Sequence, residues 1–223
     1  LFPDFTAMLP SFPLDWYILP EVPMKILAVS DFIEPLSSDL LKGNVFSDVQ
    51  LIISCGDLPP DYLWALSRAF AAPLYYVRGN HDMRYESSPP KNCYDIHAQV
   101  VSFGGLSILG LEGSHWYNGR PLQYSEARMR QIVRFLRPRL RRRGSLDMVV
   151  THAPPRHIHD GEDQCHRGFQ IFRRLIDRYQ PKYFLHGHIH RRFGDPQHRI
   201  TRIGRTRVVN CSGYYLFEYD HEW

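Results

Sequence analysis

Along the chain, apolar runs of strand length alternate with segments of helical periodicity, and most of the runs break off at a polar residue. Residues 25–29 (KILAV) and 49–54 (VQLIIS) read as buried strands. Pro59-Pro60 then introduces residues 61–70, a helix by pattern, since proline is tolerated in a helix's first turn. A third strand is expected at 74–77, and 100–103 with 106–111 form a hairpin around Gly104-Gly105. Residues 125–140 make a long helix with Ser125 as its N-cap. Residues 168–179 make another, with Phe169, Phe172, Leu175 and Ile176 on one face. Short strands at 148–150 and 183–185 lie around it, and strands at 200–203, 208–210 and 214–219 close the chain. Early βαβ alternation predicts parallel pairing and a strand-only tail predicts antiparallel pairing. An α/β sandwich of two mixed sheets with helices outside satisfies both.

The polar residues at the strand ends carry the chemistry. Asp31, Asp57, Asn80-His81, His152 and His188 with His190 each stand just past a predicted strand. In open α/β sheets, ligands bind in the crevice outside those ends. One strand-end aspartate is ordinarily a turn former or helix cap, and one histidine a satisfied core or surface residue. Repetition at successive strand ends is not explained that way. Gly56, Gly79 and Gly187 precede Asp57, Asn80 and His188, where a tight turn brings backbone and ligand together. Oxygen donors from Asp and Asn and nitrogen donors from His, without a thiolate, suit Mn, Fe, Zn, Ni or Co rather than an all-oxygen calcium cage. Asp57 has two carboxylate oxygens to bridge two ions. Two divalent ions, two aspartates and a bridging hydroxide leave about +1, which attracts phosphate.

These residues resemble the calcineurin-like metallophosphoesterase family. The motifs are SD at 30–31, CGD at 55–57, GNHD at 79–82, THAPP at 151–155 and HGHIH at 186–190. The stretch THAPP…HD…CHRG further resembles small, stand-alone bacterial members. The resemblance implies a four-layer αββα sandwich with a dinuclear centre between its sheets. It assigns Asp31, Asp57 and His190 to a first ion and Asp57, Asn80, His152 and His188 to a second. It implies attack of a metal-bound hydroxide on phosphorus, with His81 protonating the leaving oxygen and Asp82 orienting His81. The first motif departs from the family, which has Asp-x-His where this chain has Asp31-Phe32-Ile33. Loss of that donor makes the first-site ion weakly held, with Glu34 and His115 as candidate replacements.

Composition narrows the alternatives. The chain's 223 residues, 43% hydrophobic and 22% charged, are enough for one domain with a real core. A net charge of +4 permits an anionic substrate without demanding nucleic acid. Cys55, Cys93, Cys165 and Cys211 are widely spaced with no Cys-x-x-Cys pair, which fits a cytoplasmic, reducing setting. No apolar run is long enough to span a bilayer. Residues 1–23, rich in proline and aromatics, read as an extension ahead of a catalytic domain at 24–223, or as an arm that packs its rings on the domain or a second subunit. His166 and Arg167, before a predicted helix N-terminus, and His115, in the cleft-rim segment GSHWYNG, are candidate substrate contacts. Trp116 and Tyr117 in that segment either stack on substrate or pack. The arginine-rich stretch 128–143 either tracks a nucleic-acid backbone or forms a solvated helix face; Ile132, Val133, Leu136 and Leu140 favour the face. The expected substrate is a small phosphoester, a phosphodiester ahead of a monoester. A non-catalytic metal-binding scaffold and a nuclease are the competing readings.

Overall fold

Residues 23–34 and 44–220 are described by a computed structural model of the chain, so the expected extension at 1–23 lies, but for Pro23, outside the described residues. The first sheet has the order β13 (Gly213–Tyr219), β1 (Met24–Ser30), β2 (Leu51–Ser54), β3 (Leu74–Tyr76), β4 (Cys93–Asp95). In it β1 runs parallel to β2 and antiparallel to β13. The second has the order β11 (Ile200–Ile203), β12 (Thr206–Asn210), β10 (Tyr183–His186), β9 (Met148–Thr151), β6 (Leu106–Leu111), β5 (Gln99–Phe103). Its central strands are parallel and its two outer pairs antiparallel. A small parallel pair, β7 (Ser114–His115) and β8 (Gln123–Tyr124), stands apart.

Strand alternation builds the layers. On β1, Ile26 and Ala28 join Ile53, Ile108, Val150, Leu185 and Val209 in a core between the two sheets. Leu27 and Val29 face the other way, with Ile52 and Leu74, against α1 (Pro60–Phe70) through Leu63 and Leu66. Leu109, Val149, Phe184 and Val208 cover the far side of the second sheet, against α2 (Glu126–Arg143) and α3 (Gln170–Tyr179). The order is therefore helix, sheet, sheet, helices. Because β1, β2, β9 and β10 are covered on both faces, their sequences are continuously apolar rather than alternating.

The Ser125 hydroxyl caps α2, accepting from the Arg128 N–H at 3.2 Å. Met129, Ile132, Val133, Leu136 and Leu140 bury one stripe, while its arginines are exposed on the other side, as for a solvated face. The helix runs three residues beyond the expected 140, because the apolar stripe stops at Leu140 while Arg141, Arg142 and Arg143 favour the negative end of the helix dipole. Strand β4 is absent from the sequence reading: its partly exposed residues have neither an apolar run nor alternation. No helix among the described residues is long and apolar enough to cross a membrane.

Candidate metal centre

The expected ligands follow the strand ends: Asp31 after β1, Asp57 after β2, Asn80 after β3, His152 after β9 and His188 with His190 after β10. Asp31 (φ 64°), Asp57 (φ 58°) and His188 (φ 68°) sit in the left-handed region. For residues other than glycine that costs about 1–3 kcal/mol each and marks sites where surrounding structure imposes the conformation. The preceding glycines are explained by space. A Cβ on Gly79 falls on the Asp57 carboxylate, and one on Gly187 falls on the Ser30 hydroxyl close to Asp31.

Donor atoms of Asp57, His152 and His188 lie within 4.8 Å of one another, as do those of Asp31, Asp57 and His190, so Asp57 belongs to both groups. In the first group, His152 Nε2 lies 3.2 Å from Asp57 Oδ2, 3.1 Å from Asn80 Oδ1 and 3.1 Å from His188 Nδ1. The outer atoms fix which way each ligand faces. His152 Nδ1 donates to the Cys55 carbonyl at 2.8 Å, and His188 Nε2 donates to the Cys165 carbonyl at 2.8 Å. The amide of Asn80 donates to the Tyr117 hydroxyl at 3.3 Å. Each bond turns the remaining ring nitrogen or amide oxygen inward, as ligand-orienting partners do.

Such a convergence of lone pairs requires a positive charge at its middle. A proton on His152 can supply that charge. Burial opposes a proton on His152, but the Asp57 carboxylate outweighs it and holds the imidazole up to about 9. Burial likewise opposes the Asp57 charge, yet His152 and the His81 N–H hold its carboxyl well below the usual range. Burial, then the His152 charge, brings His188 down to about 4. Asp31 Oδ2 is buried without a hydrogen-bond partner, and Asp57 Oδ2 faces the His152 ring at 3.2 Å. Buried carboxylate oxygens beside imidazole nitrogens, one of them without a partner, fit a first-row divalent ion.

The second group is looser. Asp31 Oδ1 accepts from the His188 N–H at 3.0 Å and lies 3.6 Å from His190 Nε2. His190 is half-exposed, with the Phe32 ring 5.4 Å from its own. Its pairing with Asp31 raises it above its ordinary value. Ile33, at 57% exposure, offers no donor. Neither proposed replacement joins the group: the Glu34 carboxylate lies by Gly213, and the His115 ring lies tilted 5.3 Å from that of Phe169.

Two expected site features have partners within the fold. Asp82 is 1% exposed. Its Oδ2 accepts from the N–H groups of Asp57 (2.7 Å) and Gly79 (2.8 Å), tying together the loops after β2 and β3. Burial, with the Asp57 charge next, pushes its carboxyl up to about 7. The helix start at 168–170 is not open to an anion. The Glu126 carboxylate accepts from the N–H groups of Gln170 (2.9 Å) and Ile171 (3.0 Å), filling it from within the fold.

His81 is exposed at the rim, its N–H donating to Asp57 Oδ1 at 2.9 Å. The His166 ring lies 5.6 Å from that of His188 and pairs with Asp163 at 3.0 Å, whereas Arg167 donates to the Glu162 carbonyl. Sequence reasoning missed Tyr117 as a partner of Asn80, and the buried Glu112. Glu112 receives two bonds from Arg78, at 2.7 and 3.2 Å, and one from Tyr124 at 2.5 Å. That knot joins the residue before Gly79 to the segment carrying Tyr117.

Comparisons with known proteins speak to the fold and the family. TT1561 of Thermus thermophilus superposes with a TM-score of 0.59 at 18% identity, over 88% of this chain and 94% of that one. GAP50, the anchor in the inner membrane complex of Plasmodium, superposes with a TM-score of 0.50 at 12% identity, over 86% and 72%. At such identities these likenesses speak for the fold alone. No curated protein matches the chain. The sequence profile of the calcineurin-like phosphoesterases matches residues 24–192. With that match covering most of its length, and with the αββα order of the layers, the chain belongs to the calcineurin-like phosphoesterase family.

Proposed function

We propose that the chain hydrolyses a small phosphoester, a phosphodiester in preference to a monoester, at a dinuclear centre held by Asp31, Asp57, Asn80, His152, His188 and His190. Family membership implies a metal-dependent phosphoesterase in general. The observation that carries the reading is the pair of donor groups sharing Asp57, with the buried Asp31 Oδ2 left without a partner in one of them. Divalent ions bound there would neutralise phosphoryl charge and activate water.

The chain's own part is to orient and to move protons. The carbonyls of Cys55 and Cys165 hold His152 and His188 in the tautomers that point a lone pair inward. Tyr117 does the same for Asn80. Asp82 fixes the spacing of the Asp57 and Asn80 loops. His81, exposed beside Asp57, is the group that meets the leaving oxygen and gives it a proton. The described residues form no cap that would enclose a small monoester, which supports the preference for a diester.

A metal-binding scaffold is the second reading, favoured by the missing donor at Ile33. Hydrolysis of an aryl phosphodiester and an aryl phosphomonoester across Mn, Ni, Co, Zn and Mg separates the two. Turnover of the diester with at least one metal, lost in His81→Ala, is expected. No hydrolysis with any metal moves the assignment to the scaffold.

A further inference from the structure

The two helices outside the second sheet carry a larger net positive charge than the whole chain. Eight of the 18 residues of α2 are arginine, against Glu126 as its one acid. Helix α3 adds Arg173, Arg174 and Arg178 against Asp177. Together the pair carries +9, while the whole chain carries +4, so everything else sums to −5. The molecule is therefore polarised, with one basic layer on an acidic body.

Solvation accounts for where these arginines point but not for their number. Exposed helix faces usually mix signs, so that residues four apart attract. On α2 Glu126 and Arg130 make such a pair, at 3.5 Å, and Glu126 is already engaged at the start of α3. The pairs Arg130/Arg134, Arg137/Arg141 and Arg139/Arg143 are like-charged, which weakens an isolated helix. Among the described residues, Arg134, Arg137, Arg139, Arg141 and Arg142 have no carboxylate partner. Amid them stands Phe135, 73% exposed, with Arg139 and Arg142 one and two turns along on the same side. Among the described residues of the two helices it is the only large apolar side chain so exposed. Unpaired arginines around a bare ring point to a partner that is both anionic and apolar.

We propose that this layer docks on an anionic phospholipid bilayer. Guanidiniums take lipid phosphates in paired, charge-assisted bonds. Their stems lie along apolar surface while the heads stay among the headgroups. Phe135 then leaves water for the boundary between headgroups and acyl chains. A nucleic-acid backbone would satisfy the arginines but leave the ring in water, and the layer has no second exposed ring among its described residues for a run of bases. The apolar stripe of α2, from Met129 to Leu140, stays packed in the fold, so the contact is peripheral: charges and one ring, with no inserted helix face. The candidate metal ligands lie at the strand ends and not on this layer, so docking does not depend on hydrolysis.

Co-sedimentation of the whole chain with vesicles tests this. Binding is expected to vesicles of one part phosphatidylglycerol to two parts phosphatidylcholine, and not to phosphatidylcholine alone. It should weaken steeply between about 0.1 and 1 M salt, as the screening length falls from about 10 to about 3 Å. The triple substitution Arg134→Gln/Arg139→Gln/Arg142→Gln should weaken binding about 100-fold, at about fivefold per arginine near an anionic surface. Phe135→Ala should weaken it about 3–10-fold, and Phe135→Leu should restore most of that loss. All four positions are exposed, so each variant should unfold in urea at the wild-type midpoint. Arg191→Ala/Arg192→Ala, two exposed arginines on the loop after β10, should leave binding unchanged. No binding to the anionic vesicles, equal binding to both kinds, or indifference to the triple substitution overturns the proposal. An equal loss in the Arg191/Arg192 variant also overturns it, by assigning the contact to another surface. Full binding by Phe135→Ala, or displacement from the vesicles by a DNA duplex at equal phosphate concentration, overturns the bilayer in favour of a soluble polyanion.

Discussion

Replacing Asp82 by alanine tests whether its role is to tie two loops together. One carboxylate oxygen accepts from the Asp57 and Gly79 N–H groups at 2.7 and 2.8 Å, and the residue is 1% exposed. Water cannot take over those bonds without opening the loops. An unsatisfied buried donor costs about 1–3 kcal/mol, so two give about 2–6 kcal/mol. Against a typical stability of about 5–15 kcal/mol, that loss is large. Asp82→Asn keeps an acceptor oxygen of the same reach and should lose under about 2 kcal/mol. Urea unfolding followed by circular dichroism, with chelator present, measures both. Because Gly79 and Asp57 flank the donor groups, Asp82→Ala should also weaken manganese binding more than Asp82→Asn does. An alanine variant within about 0.5 kcal/mol of the wild type would refute the reasoning, since that is the range of an inconsequential surface change.

Acid should destabilise the chain through His159, which burial, then the charge of Arg191, lowers from 6.5 to about 4. Its folded value lies below its unfolded one, so stability is full above 6.5 and falls as pH drops toward 4. The unfolded chain then takes a proton that the folded one refuses. At about 1.4 kcal/mol per unit, the loss approaches about 3 kcal/mol, and His159→Gln should flatten the unfolding free energy across that window. An unchanged slope would refute the assignment. Ser125→Ala removes the acceptor for the Arg128 N–H and should cost about 1 kcal/mol by urea unfolding. No loss there would mean that Ser125 does not cap α2. Ile33→His should lower the manganese concentration needed for half-maximal aryl diester hydrolysis; an unchanged requirement would mean that another group already serves the weaker site.

Much of the fold was legible because its central strands are covered on both faces, which writes continuous apolar runs such as residues 51–53 into the sequence. The candidate ligands were legible for a related reason: each strand run stops at a residue that a core would not choose. What could not be read depends on contacts between distant segments. Glu126 caps α3 across 44 residues, and no local pattern announces it. The resemblance implied Asp82 as a partner for His81, whereas the fold turns one of its carboxylate oxygens toward the backbone of Asp57 and Gly79. Tyr117 reaches Asn80 across 37 residues, and Glu112 reaches Arg78 across 34. The left-handed backbone at Asp31, Asp57 and His188 was equally hidden, since these residue types do not require it.

The account stands on Asp57 belonging to two donor groups at once. Calorimetric titration of the chelator-stripped chain with manganese tests this directly. Two unequal sites are expected, the tighter at His152 and His188. His188→Ala should remove the tighter site, His190→Ala the weaker, and Asp57→Asn both. Retention of either site at wild-type affinity in Asp57→Asn would contradict the account.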